Sequence, residues 1–157
     1  MPIAKSKASR ILGIDYGMAR IGLAISDETK ILASPLETLK CEKKADQTVA
    51  KLLARIDLLT QDYKCEVSEI VIGLPLMMSG KTGFLADEVH HFVQLLHQAT
   101  SIPIKTWDER LTTVQADRSL RESNLSRKRR AQYVDAVAAV IILQNYLDSL
   151  FQISQKI

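Results

Sequence analysis

The stretch that most limits what this chain can become is Arg10-Ile11-Leu12-Gly13-Ile14-Asp15-Tyr16-Gly17-Met18-Ala19-Arg20-Ile21-Gly22-Leu23-Ala24-Ile25-Ser26-Asp27. Ile11 to Ile14 is a short apolar run, the pattern of a central strand buried on both faces. Ile21, Leu23 and Ile25 alternate with smaller residues, as a paired strand does. Gly17 and Gly22 flank the turn between them. One carboxylate, Asp15, closes the first strand. An acid there is equally a turn cap and a group placed where a buried strand opens to solvent, the edge on which α/β proteins carry their chemistry. The stretch alone leaves both readings open.

The rest of the chain supplies the other layers. Lys30 to Leu39 reads as a third strand, and Pro35 within it predicts a place near a sheet edge. The short connections predict antiparallel pairing among these three strands. Ala45, Val49, Leu52, Leu53, Ile56 and Leu59 recur at helical spacing. Ser68 to Pro75 is a short buried strand, reached by that helical crossover and so parallel to a neighbour. Leu76 to Gly83 is a loop. Leu85, Val89, Phe92, Val93, Leu96 and Ala99 mark a second helix, and Pro103 to Trp107 a fifth strand, with Asp108-Glu109-Arg110 just past its end. Thr113 to Arg121 reads as a short helix. Ser126 then caps a last helix, about Arg127 to Leu150, with a fraying polar tail from Gln152. This is the element order of an α/β ribonuclease H-like fold: a five-stranded mixed sheet, first three strands antiparallel and last two parallel, flanked by helices.

At 157 residues, 46% hydrophobic and 25% charged, one domain over 1–157 is expected, with 1–9 and 152–157 loose. The longest apolar run, Ala136 to Leu143, has eight residues, far short of the ~20 of a membrane helix. The amino-terminal apolar stretch is too short for a signal peptide, and Cys41 and Cys65 lack metal spacing. Free thiols and a cytoplasmic address follow. The net charge of +3 says little, but Arg118, Arg121, Arg127, Lys128, Arg129 and Arg130 stand against Glu122 alone in one block. Such a block suits phosphate contacts, although charge runs more often form a solvated face.

Three acids stand where elements end. Asp15 closes the first strand, Glu109 follows the fifth, and Asp135 immediately precedes the apolar part of the last helix. An acid beside eight apolar residues needs a partner. Taken singly, each suits an ion pair: Glu109 with Arg110 or Arg20, Asp135 with Arg130 or Arg127. Taken together, in a fold that gathers these ends, they suit a divalent cation. Hard carboxylate oxygens bind Mg²⁺ or Mn²⁺, and two such ions promote in-line phosphodiester displacement. Asp108 stands in reserve.

The motifs Ile14-Asp15-Tyr16-Gly17 with Arg20-Ile21-Gly22-Leu23-Ala24, Val71-Ile72-Gly73-Leu74-Pro75, Trp107-Asp108-Glu109-Arg110-Leu111-Thr112-Thr113, and Ser126-Arg127-Lys128 with Val134-Asp135-Ala136-Val137-Ala138-Ala139 resemble the YqgF (RuvX) family. These are Holliday junction resolvase-like proteins also described as pre-16S rRNA nucleases. The resemblance runs from about Leu12 to Leu147. It implies a ribonuclease H-like fold, a divalent-metal nuclease site and maturation of the 5′ end of small-subunit ribosomal RNA. It puts the catalytic and metal-holding acids on Asp15, Glu109 and Asp135, and sets Arg20 and Arg110 toward substrate phosphates. Thr112 and Thr113 suit a helix cap. The loop after Pro75 lacks the family's acidic-glycine turn and offers Lys81 as a phosphate contact instead.

The expected activity is therefore metal-dependent cleavage of nucleic acid, with Arg127, Lys128, Arg129 and Arg130 adding grip on the backbone. Precursor ribosomal RNA is preferred to a DNA junction as partner, with the ribosomal subunit as a further one and the protein a monomer or homodimer. A non-catalytic RNA-binding assembly factor and a DNA junction resolvase are the alternatives. Ser79-Gly80-Lys81-Thr82 is not a P-loop, because Pro75 stands where the first glycine belongs. A nucleotide site of the actin-like kind needs two domains. His90, His91 and His97 read as surface residues, Met77 and Met78 as loop packing, and Trp107 and Tyr133 as packing aromatics. The helix around His91 and Phe92 offers a dimer face.

Overall fold

A computed structural model of the chain describes residues 7–75, 83–108 and 127–155, with side chains of the last helix described over 136–151. The elements are β1 (Ser9–Tyr16), β2 (Arg20–Ser26), β3 (Ala33–Lys40), α1 (Ala45–Tyr63), β4 (Glu66–Leu74), α2 (Phe84–Ala99), β5 (Ile104–Asp108) and α3 (Arg127–Gln155). The sheet order is β3-β2-β1-β4-β5. β1 and β2 pair antiparallel, as do β2 and β3, while β1–β4 and β4–β5 are parallel. The topology is the expected one. β1 is central because Ile11, Leu12 and Ile14 are buried against helices on both faces.

Alternation along the strands splits the core. Leu12, Ile14, Ile21, Leu23, Ile70 and Ile72 face α1 and α2. Ile11, Ala24 and Val71 face α3, where Ala139, Ile142, Leu143, Tyr146 and Leu147 form the covering stripe. Each large apolar side chain buried this way contributes about 1.5–3 kcal/mol. Thus α3 is apolar where it meets the sheet, and Val137, Val140 and Ile141 are half-buried.

Pro35 lies on the edge strand, as expected, and at an irregularity. The β2–β3 register shifts between Gly22 and Ala24, so Pro35, which has no N–H to offer, sits at the bulge. A second shift lies in the β1–β4 pairing between Arg10 and Ile11, where Ser68 is the extra residue of β4 and its hydroxyl donates to the Arg10 carbonyl at 3.4 Å. On the β2 side the Ile11 amide donates to the buried Ser26 hydroxyl at 2.8 Å. Two ion pairs tie α1 to β3 and the connection after it, Arg55 with Glu37 and Lys51 with Glu42.

Four sequence expectations are revised. Asp108 is the last residue of β5 rather than a residue past its end, because its backbone continues the ladder opposite Leu74. α3 runs to Gln155, beyond Leu150 and through the polar residues from Gln152. Phe92 is fully buried with its ring 4.8 Å from that of Tyr16, so it belongs to the core and not to the exposed face of α2 that carries His91. β1 begins at Ser9, and the Glu66 amide donates to the Ala8 carbonyl at 2.9 Å. The short helix at 113–121, the Ser126 cap and the loop at 76–82 lie outside the described residues.

Candidate active site

The carboxyl ends of β1, β4 and β5 share one pole of the sheet, since the three strands are parallel. Asp15 stands there, half-buried, on the α3 face, because it follows Ile11 and Gly13 on that side of the pleat. Its neighbours on that face are unusual. Gly22 is directly opposite in β2. On the other side, extending the Ile14–Ile72 register by one residue brings Gly73 of β4 level with Asp15. Beyond the glycines the row continues to Thr38 of β3 and Trp107 of β5. The central carboxylate is thus flanked on both adjacent strands by residues without side chains.

The helix above approaches closely for the same reason. A Cβ at Gly13 would lie 2.7 Å from Leu143 Cβ and 3.2 Å from the Ala139 carbonyl oxygen. Further along, the Tyr146 hydroxyl donates to a carboxylate oxygen of Glu69, which is level with Ile11. Going forward along α3 therefore means going back along β1. Position 135, one turn before Ala139, lies toward the carboxyl end of β1, where Asp15 is.

The turn after Asp15 is braced from two sides. Gly17 N–H donates to Arg20 O at 2.9 Å, and Cys41 N–H donates to Ala19 O at 2.9 Å. The Cys41 thiol reaches Gly17 O at 3.4 Å. A Cβ at Gly17 would meet Arg20 O at 2.7 Å, so glycine is required there. Tyr16 points to the opposite face, onto Phe92. Burial pushes its phenol pKa up, with the nearby Cys41 and Glu88 adding to the effect.

Of the expected site residues, Asp15 and the reserve Asp108 come to the same pole, their strands separated by β4, roughly 10 Å at the backbone. Arg20 is half-buried on the Asp15 face. Glu109, Arg110, Thr112, Thr113 and Lys81 lie outside the described residues. Asp135, Arg127, Lys128, Arg129, Arg130 and Tyr133 belong to the first turns of α3, and their side chains are not among those described. Among the described residues no three His, Cys, Asp or Glu side chains form a metal-binding group. The described contribution to such a site is hard carboxylate oxygen from Asp15, with Gly22 and Gly73 beside it, a donor type that fits Mg²⁺ or Mn²⁺.

Trp107 is half-buried and packs edge-on against Tyr146, with centroids 5.7 Å apart and planes at 79°. His90, His91 and His97 are exposed on α2, across the sheet from Asp15. Neither Cys41 nor Cys65 is in a disulfide. No helix among the described residues is long and apolar enough to cross a membrane.

A central strand with an acid one residue before its end, antiparallel to β2 and parallel to β3, β4 and β5, defines a ribonuclease H-like fold. Solved structures share it. Thermus thermophilus RuvC in complex with a Holliday junction substrate superposes with a TM-score of 0.53 at 17% identity, over 91% of this chain and 96% of that one. The fowlpox virus Holliday junction resolvase gives 0.53 at 13%, over 90% and 99%. At these identities the likeness is one of fold. The chain itself belongs to the RuvX family, described as Holliday junction resolvase, whose pattern matches residues 9–149. A Protochlamydia amoebophila (strain UWE25) protein named "Putative pre-16S rRNA nuclease" is 70% identical over 145 residues, 92% of this chain and 97% of the relative. A Natranaerobius thermophilus protein of the same name is 42% identical over 139 residues, 88% and 94%.

Proposed function

We propose that this protein is a divalent-metal-dependent endonuclease of the cytoplasm that hydrolyses phosphodiester bonds in precursor 16S ribosomal RNA, maturing its 5′ end during ribosome biogenesis. One observation carries the reading: Asp15 stands at the carboxyl end of the central strand, one residue before its last, between Gly22 and Gly73 at the pole shared with the end of β5, in a chain with relatives named for this activity. Asp15, Glu109 and Asp135 would hold Mg²⁺ or Mn²⁺. When bound, the metal supplies an activated water and stabilises the leaving oxygen.

The chain's own residues do the rest. Glycines on both sides of Asp15 leave its carboxylate accessible to a phosphate rather than crowded by neighbouring side chains. Arg20, next to the braced turn, offers a planar set of N–H donors to phosphate oxygens. Arg110, Lys81 and the block Arg127, Lys128, Arg129 and Arg130 neutralise the backbone on either side of the cut.

The test incubates the protein and its Asp15→Asn, Glu109→Gln and Asp135→Asn variants with precursor 16S RNA and with a four-way DNA junction, each with Mg²⁺ and with Mn²⁺. The expected result is RNA cleavage that falls on the order of a hundredfold or more in each variant, with RNA binding kept. Undiminished cleavage by Asp15→Asn overturns the assignment. The family's description as a resolvase favours a second reading, which cleavage of the junction without cleavage of the RNA would establish. Binding of RNA with no cut under either metal would make the protein an assembly factor.

A further inference from the structure

On the face of the sheet that carries Asp15, Arg20 of β2 stands directly opposite Lys40 of β3. The assignment of faces is independent of either side chain. Ile21 and Leu39, the next pair along, pack toward α1 and α2, and Glu37 pairs with Arg55 of α1. Arg20 and Lys40 therefore point the other way, with Asp15. Like charges placed directly across an antiparallel ladder destabilise it. The Lys40 side chain is exposed.

Two more cations follow at once, Lys43 and Lys44, both exposed. The carboxylate among them, Glu42, is already engaged by Lys51 at 3.2 Å. Among the described residues no carboxylate pairs with Lys40, Lys43 or Lys44. The segment that displays them is held firmly: Lys51 Nζ donates to Lys40 O at 2.8 Å, Cys41 N–H to Ala19 O at 2.9 Å, and Glu42 N–H to Thr48 Oγ1 at 2.9 Å. Lys40, Lys43 and Lys44, a fixed row without a carboxylate partner among the described residues, begin opposite Arg20 beside the candidate active site and call for a polyanion.

We infer that Lys40, Lys43 and Lys44, continuing from Arg20, form a track for consecutive phosphates of the single strand that flanks the cleaved bond, leading from Asp15 across the β2–β3 edge of the sheet. The inference rests on the reading of Asp15 as the reacting end. It adds a binding surface separate from the basic start of α3.

The test measures affinity for a short fluorescein-labelled single-stranded RNA across a salt series, in EDTA, by anisotropy. The variant Lys40→Ala/Lys43→Ala/Lys44→Ala is compared with the parent and with Lys7→Ala/Lys30→Ala/Lys64→Ala, which removes the same charge at the opposite pole. Each lost single-strand phosphate contact flattens the dependence of log K on log salt by about 0.7, so the track variant should lose about 2 in slope and the control little. A track variant with the parent's slope, or a control that loses as much, overturns the inference. Thermal melting of both variants verifies that they are folded. Cleavage with Mg²⁺ is measured separately. A parent that does not cut but binds through the track sinks the nuclease reading alone, and a parent that cuts with an unchanged slope in the variant sinks the track alone.

Discussion

Leu143 lies so close over Gly13 that position 13 has no room for a side chain: an added Cβ would stand 2.7 Å from Leu143 Cβ. Sheet and helix meet at the backbone there, and this contact sets the height of α3 over β1. Replacing Gly13 by alanine must lift the helix or shift the strand. Overpacking of this kind costs about 1–3 kcal/mol, and at this chain length each kcal/mol lowers Tm by about 2–4 °C. Gly13→Ala should therefore melt measurably lower by circular dichroism. Position 135 lies one turn before Ala139 on the lifted helix, so cleavage should fall further than RNA binding does. An unchanged Tm would mean that the contact is slack.

The glycines beside Asp15 make a second expectation. Gly73→Ala puts a methyl group next to the carboxylate without altering charge, hydrogen bonding or the apolar core. If the space serves a hydrated cation and a phosphate, cleavage should drop about tenfold, as for other disturbances around metal ligands, and should recover in part at higher Mg²⁺ concentration. Rate against metal concentration, with Tm as the control for folding, measures this. Full activity at low Mg²⁺ would show that the space is not used.

How much of this was legible in the sequence depends on the range of the interactions. Ile11 to Ile14 announced a central strand because burial on both faces demands an unbroken apolar run, and Pro35 announced an edge because it cannot donate to a ladder. The position of Asp15 at a strand end followed from the same local pattern. The row Thr38–Gly22–Asp15–Gly73–Trp107 was not readable, since it draws one residue from each of five strands and depends on a register shift in β3. The same shift hides the facing of Arg20 and Lys40. Helical spacing places Phe92 on α2, but its burial depends on Tyr16, which is remote in sequence. Gln144 shows the limit well. A polar residue just after an apolar run suggests solvent, yet its amide accepts from Ala33 N–H at 2.9 Å and donates to Ile31 O at 2.8 Å, fixing the start of the edge strand.

Lys64 ends α1 in a left-handed conformation, φ 50° and ψ 40°. Glycine is the usual residue at such a cap, because a side chain there costs about 1–2 kcal/mol. Glycine also raises the entropy of the unfolded chain, by about 0.5–1 kcal/mol. The balance favours Lys64→Gly by roughly half a kcal/mol, while Lys64→Val, branched at Cβ, should lose more than about 1 kcal/mol. Urea midpoints of the two variants should thus move in opposite directions from the parent. Equal midpoints would show that the turn relaxes to accept any residue.

The anchor of α3 on β4 gives a pH dependence. The Tyr146 hydroxyl donates to the half-buried Glu69 carboxylate, and Trp107 packs against its ring. Burial, then the hydrogen bond to Glu69 and its negative charge, push the Tyr146 phenol pKa well above its ordinary value near 10. The folded state thus holds this proton more tightly than the unfolded chain. Its contribution to stability is complete below pH 10 and is lost as pH rises from there toward the folded pKa, because only the unfolded chain releases the proton in that range. Tyr146→Phe removes the donor and leaves Glu69 unmatched, which should cost about 1.5–3 kcal/mol at neutral pH. It should also remove part of the decline in stability above pH 10, the part that remains being shared with Tyr16, whose phenol is raised by burial too. Urea unfolding of parent and variant from pH 7 to pH 11 measures both effects. Parallel curves over that range would show that Tyr146 anchors the helix by packing alone.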